Sequence, residues 1–504
     1  MKVAAITQSS LFPIVNNNDT DRVLVIIQLN GGNDGLNTFI PLDQYDRLMG
    51  VRANIMIPQN QLLTVENTMA FHPAMSSLKQ IYEEGKMTLV QSVGYPNQNR
   101  SHFRSKDIWT SGSEANEFIS TGWLGRYFDS LHSGYPEGYP NDNHPDPIAI
   151  TIGSLVSETC QGTGSNFSLA LQDPFALSPL AESEGSEVPD NYYGKELSFL
   201  RTAIAQTNAY GEVILQAAEK GNNASTLYPE AGTNSLADQL KVVANLISGG
   251  LKTKVYIVSL GGFDTHSDQV VINNPQQGEH AALLQQLSEG ILAFQDDLKR
   301  LGLEQRVAGM TFSEFGRRIA SNGSFGTDHG SAAPLVVFGA CVNAGVIGEN
   351  PEIPEEVAVQ DGVQMQYDFR SVYGSLLMDW FGAAEATVQT LLHEDFQYIP
   401  LIEGCDQTTS IEDLFKEKET LYIQNYPNPF SSQTTISFDS KGEWIRLSVF
   451  NAVGSELHVL TNQHFPKGRH TISYATQHLP AGNYYYRMQT ERGVVARLMV
   501  KGGI

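Results

Sequence analysis

The sequence predicts an α/β domain with a mostly parallel sheet flanked by helices, followed by a small antiparallel β-sandwich. Three observations carry this. Short apolar, β-branched runs end in glycine-rich turns, stretches of helical period lie between them, and the period changes to two beyond residue 420. A chain of 504 residues exceeds one ordinary core, so two or three units are expected.

The first run, Val23–Asn30, reads as a strand buried on both faces and is followed by Gly31-Gly-Asn-Asp-Gly35. Met87–Val93 is strand-like. Lys254–Leu260 precedes Gly261-Gly-Phe-Asp-Thr-His266, Val307–Phe312 precedes Ser313-Glu-Phe-Gly-Arg-Arg318, and Leu335–Phe338 closes the series. Helices are predicted over Leu236–Ile247 and His280–Leu301, the latter with apolar residues at Leu283, Leu284, Leu287, Ile291, Leu292 and Phe294. Strands alternating with helices give a mostly parallel sheet. Residues 404–420 are polar and read as a linker, and 1–20 as a disordered or leader remnant. Beyond them, runs such as Thr434–Phe438, Trp444–Phe450, His470–Tyr474 and Asn483–Met488 alternate between glycine turns, which predicts the sandwich over 421–504.

Charge divides the chain at the same place. Residues 421–504 hold 8 Lys+Arg and 4 Asp+Glu, net +4; residues 1–420 hold 24 against 51, net −27. The acidic body argues against nucleic acid as a partner, since phosphate backbones are met with Lys and Arg. No run of 18 apolar residues predicts a transmembrane segment. The three cysteines, Cys160, Cys341 and Cys405, form no CxxC pair and leave the redox compartment open.

Chemistry is suggested by position. Asp34, Asp264 with His266, Glu314, and Asp328 with His329 lie in turns at predicted strand ends, and ligands of open α/β sheets bind in the crevice at such ends. Carboxylates with neutral imidazoles are the ligand set of Zn²⁺, Mn²⁺ and related ions. Each has a plain structural alternative. Gly32–Gly35 alone is an ordinary turn, Asp264 could cap a helix before a surface His266, Asp328-His329 is turn-like, and Glu314 could pair with Arg317 or Arg318. Ser101, in Asn99-Arg-Ser-His-Phe-Arg-Ser105, is the nucleophile candidate, with Arg100 and Arg104 as anion-binding residues; alternatively Ser101 is an N-cap. His102 is left open as base, ligand or surface residue. No Gly-x-Ser-x-Gly elbow, HExxH or P-loop is present.

Six stretches in order resemble the bacterial family of domain of unknown function 1501, itself similar to alkaline phosphatases and sulfatases. They are Gln28–Asn37, Asn99–Phe103, Gly122–Tyr127, Gly261–His266, Ser313–Arg318 and Gly326–Gly330. The resemblance spans roughly residues 20–400. It implies an alkaline-phosphatase-like domain over 21–403 that hydrolyses phosphate or sulfate esters of small molecules or polysaccharides. One or two divalent ions (Zn or Mn, alternatively Ca or Mg) are implied, with Ser101 as nucleophile and Glu314 as ligand or orienter. One ion would be held by Asp34, Asp328 and His329 and a second by Asp264, His266 and His280. The Asp264-x-His266 spacing departs from the superfamily's Asp and His four residues apart, and the sulfatase Cys/Ser-x-Pro-x-Arg motif is absent. A non-catalytic surface or binding protein on the same fold is the alternative.

Gln424–Phe430, Leu447–Gly454, Leu479–Tyr485 and Val495–Lys501 resemble the C-terminal sorting domain of the type IX secretion system of Bacteroidetes. The resemblance implies contact of 421–504 with that machinery and a secreted or surface-attached product. Such cargo also carries a leader, and Met1–Asp21 has no sustained apolar region, so the chain is expected to be a truncated or mature form.

Overall fold

The computed structural model describes residues 21–66, 68–177, 192–403, 423–451, 456–490 and 493–502. The segments read as leader (1–20) and linker (404–420) lie outside them.

The body is built on one mixed sheet. Its strands are β1 (Val23–Asn30), β2 (Met87–Gly94), β3 (Ala149–Ile152), β4 (Ser168–Leu171), β5 (Val255–Gly261), β6 (Val307–Ser313), β7 (Ala333–Gly339), β8 (Gly345–Ile347) and the two-residue β9 (Tyr367–Asp368). They run in the order β8-β2-β7-β6-β1-β5-β3-β4, with β9 beside β2. β1 pairs parallel with both β5 and β6, and β3 with both β4 and β5. β7 alone runs against its neighbours β2 and β6. Three helices flanking β1's apolar run are joined to it by its alternation. Val25, Ile27 and Leu29 face the core shared with α2 (Tyr192–Lys220), α3 (Ser235–Ser248) and α4 (Glu279–Arg300). Leu24 and Ile26 face the opposite core, shared with α5 (Phe369–Asp379) and with the helix His102–Ser111 that follows β2. A strand apolar on both faces is thus a strand with a helical layer on each side.

The predicted strands and helices are present, β1 at its expected bounds and the others differing by a residue or two at their ends. β3, β4, β8, β9, α2 and α5 are among the additions; strands of two to four residues are too short to show a period. The run Leu335–Phe338 forms β7 but antiparallel, and this places the preceding Asp328-His329 turn at the carboxyl ends of β1, β5 and β6.

The tail comprises β10 (Ile423–Tyr426), β11 (Gln433–Ser440), β12 (Glu443–Asn451), β13 (Glu456–Phe465), β14 (Gly468–Ala475), β15 (Gly482–Thr490) and β16 (Gly493–Lys501). Two antiparallel sheets, β10-β11-β14 and β13-β12-β15-β16, enclose one core of Ile436, Phe438, Ile445, Leu447, Tyr486 and Met499. No helix among the described residues is long and apolar enough to cross a membrane. Cys341 is disulfide-bonded and Cys160 is a buried free thiol.

Close packing in the central sheet leaves no room for a side chain at Gly309 of β6 unless a neighbour moves: a Cβ there would lie 2.1 Å from the Phe338 ring of β7. Gly309→Ala is expected to cost about 1–3 kcal/mol through overpacking. Denaturant unfolding measures it, and an unchanged midpoint would contradict the packing described.

Candidate metal centre

The carboxyl ends of β1, β5 and β6 converge on the guanidinium of Arg317, whose side chain is fully buried. Its Nε donates to the Gly32 carbonyl (2.7 Å), Nη1 to the Thr327 carbonyl (2.8 Å), and Nη2 to the carbonyls of Gly31 and Phe263 (2.8 Å for Phe263) and to Asp264 Oδ1 at 2.8 Å. One cation therefore gathers the turns after β1 and β5 and the turn before β7. Glycine is required where they touch. Gly31 sits at φ +122°, and a Cβ there would lie 2.3 Å from the Asp264 nitrogen.

Asp264 is the hub on the open side. Oδ1 also lies 2.9 Å from His266 Nδ1 and 3.2 Å from His329 Nε2, while Oδ2 lies 3.4 Å from His102 Nε2. Burial opposes ionisation of Asp264, but the groups around it, the Arg317 guanidinium first, outweigh that and hold the carboxyl below its ordinary range. One ligand atom each of His102, Asp264 and His329 all lie within 4.8 Å of one another.

The far nitrogens of two of these rings are tied. His329 Nδ1 lies 2.8 Å from the carbonyl of Arg100, which can only accept, so Nδ1 carries the proton. His102 Nδ1 lies 2.9 Å from Glu314 Oε1, which also accepts the Gly31 N–H at 2.8 Å. An ionised Glu314 likewise places the proton on Nδ1. Burial shifts His329 below its ordinary pKa, favouring the neutral ring. In the neutral tautomer with its proton on Nδ1, each ring turns its Nε2 lone pair toward the Asp264 carboxylate. Acceptors converging on one point repel unless a cation lies among them.

The residues singled out from sequence divide into groups. Asp264, His266, His329 and Glu314 meet at this cluster, together with His102, which had been left open, and Arg317, which had been considered only as a partner for Glu314. Asp34 is buried elsewhere: both its oxygens lie 3.1 Å from Arg52 Nη1, and Gln269 Nε2 donates to Oδ2 at 2.7 Å. Gln269 Oε1 in turn accepts from Thr327 Oγ1 (2.7 Å) and Thr265 Oγ1 (3.2 Å), so Asp34 stands one side chain behind the cluster. Although burial raises the Asp34 pKa, Arg52, His280 and Gln269 together bring it below the ordinary value. Asp328 pairs with Arg318 (3.0 Å) and accepts from Asn322 (3.2 Å) rather than joining His329. His280 is buried with Nε2 on Asn33 Oδ1 (2.9 Å), and burial pushes its pKa down to about 4.

Ser101 is exposed and opens the helix α1 (His102–Ser111) without a side-chain capping bond. Arg100 lines a cleft of about 410 Å³ bordered by residues 95–98 and 360–365. Arg104 turns away from it, to Asp107 and the carbonyls of Glu114, Ala115 and Glu117. No spacing announced Arg52 or Gln269; the former lies in a polar helix and the latter in a turn.

The family model described as protein of unknown function (DUF1501) matches residues 21–379, and that of a secretion system C-terminal sorting domain matches 424–501. None of the curated proteins matches the chain. Similar solved structures include an alkaline phosphatase superfamily protein from Vibrio parahaemolyticus (10% identity over 84% of this chain and 76% of that one, TM-score 0.32). A sulfatase from Pseudoalteromonas sp. is 11% identical over 91% and 84%, with TM-score 0.31. A putative sulfatase from Bacteroides fragilis is 8% identical over 93% and 91%, with TM-score 0.30.

The buried Arg52–Asp34 pair yields a sharp expectation. Arg52→Met strands the Asp34 charge and should destabilise the chain by about 3–5 kcal/mol, whereas adding Asp34→Leu should recover most of the loss. Urea unfolding of the three proteins decides; a double variant no more stable than the single would assign the cost to Arg52's bonds with the Ile319 and Arg318 carbonyls instead.

Proposed function

The chain belongs to the DUF1501 family, and on that premise we propose that it is an exported, metal-dependent hydrolase of phosphate or sulfate esters. The single observation that supports this reading best is the convergence of His102 Nε2 and His329 Nε2 on the Asp264 carboxylate. Two imidazoles and a carboxylate are a donor set of catalytic zinc sites, which leave a further position open to substrate. Their outer nitrogens are bound to Glu314 and the Arg100 carbonyl, the arrangement that orients metal-ligating histidines. The residues present therefore fit a divalent ion. A bound ion would supply Lewis-acid polarisation of the ester's oxygens.

The chain's own groups have the remaining roles. Ser101, exposed and free of a capping bond, is the nucleophile, and the adjoining helix start favours an anionic ester beside it. Glu314 fixes the His102 ring rather than touching substrate. Arg100 meets the substrate's charge from the cleft. Arg317 keeps the turns in place and holds Asp264 ionised. For the tail, we read residues 421–504 as a type IX sorting signal, with the 404–420 segment as connector and the machinery of a Bacteroidetes host as partner. The match to a secretion system sorting domain indicates an exported or surface protein.

A second reading, a fold kept without the reaction, is favoured by one observation: Asp34 and Asp264 already carry arginine partners, Arg52 and Arg317.

Elemental analysis and turnover of aryl phosphate and aryl sulfate esters separate the two. The first reading expects about one tightly bound ion per chain, lost in His329→Ala. Ser101→Ala should retain the metal yet lose turnover by roughly 100-fold or more. Wild-type protein that takes up no metal and turns over neither ester would leave the second reading standing.

A further inference from the structure

Part of the outer face of the four-stranded tail sheet is buried. Residues alternate across a strand, and Ile445, Leu447 and Val449 of β12 point into the tail's own core. Ser448 and Phe450 point the other way, as does Arg487 of β15, which stands opposite Ser448. An isolated sandwich would leave that face in water, yet Ser448 is 2%, Phe450 5% and Arg487 4% exposed.

What covers it belongs to the body. The Arg487 guanidinium lies 4.7 Å from the centre of the Tyr398 ring and 5.0 Å from that of Phe450, with those rings 6.1 Å apart. Its Nη2 lies 3.5 Å from Glu385 Oε2. The Tyr398 hydroxyl donates to Asp379 Oδ2 at 2.8 Å, fixing the ring that Arg487 stacks upon. Two further arginines follow the same charge pattern: Arg446 lies 4.0 Å from Glu385, and Arg497 lies 2.8 Å from Glu403. The net +4 of the tail and −27 of the body match this arrangement.

We propose that the body surface formed by Glu385, Tyr398 and Glu403 is a docking site for the chain's own basic C-terminal unit, latched by Arg487 between Tyr398 and Phe450. The tail is then a carried element with part of one face hidden, not a piece swinging on a tether. Stacking of guanidinium on aromatic faces, sheltered from water, gives the latch its strength, and the outer ion pairs add a salt-dependent part.

Small-angle scattering of the full chain tests this. Wild-type protein should scatter as one compact particle, with a radius of gyration of about 23 Å. Arg487→Glu should expand it, and Glu385→Arg, a change on the body that leaves the tail's own packing untouched, should do the same. Combining the two restores opposite charges but not the stacking, and should return the chain part of the way to the compact form. A wild-type chain already as extended as the single variants would overturn the latch. So would single variants without effect.

Discussion

The candidate site depends on one buried cation. Arg317 comes from the turn after β6, yet it binds carbonyls of the turns after β1 and β5 and of the turn before β7, together with the Asp264 carboxylate. The carbonyls of Gly31, Gly32 and Thr327 would otherwise be unpaired acceptors away from water, at a cost of about 1–3 kcal/mol apiece. A guanidinium is suited to this because its five donors are fixed in one plane and it stays charged. With the turns held, Asp264 is pulled toward Arg317 through Oδ1. Its other oxygen is left toward His102. The open edge of the site is thus a consequence of how its closed edge is satisfied.

Glu314 links the two. It accepts from the Gly31 backbone, whose carbonyl Arg317 holds, and it fixes the His102 ring. The His102 and His329 rings stand 4.4 Å apart at 78°, edge to face. Rigid strand ends, a buried arginine and a carboxylate orienter together preorganise the cluster without any loop having to close.

Much of the body was legible because β1, β5 and β6 are apolar on both faces and end in glycine turns. The direction of β7 was not, since an apolar run carries no sign of parallel or antiparallel pairing. Residue types at the site were also legible, but their partners were not. Nothing in the spacing of Asp34 says that Arg52 will neutralise it, or that Asp328 will turn to Arg318 while its neighbour His329 turns to Asp264. His102 remained open because a histidine at a helix start is ordinary; only Glu314 and Asp264, brought in by other elements, give its neighbourhood meaning. In the tail, period-two alternation revealed the sandwich. The break in that alternation at Ser448 and Phe450 was the trace of a second buried face.

The central claim is that His102 and His329 carry their protons on Nδ1 and direct unprotonated Nε2 atoms at Asp264. Neutron diffraction from a metal-free crystal of the full chain at about pH 8, exchanged into heavy water, reads this directly, since ordinary X-ray data do not place hydrogens. The account predicts deuterium on Nδ1 of both rings and none on either Nε2. Deuterium on the Nε2 atoms would make these contacts plain hydrogen bonds to Asp264, and the convergence that calls for a cation would be gone.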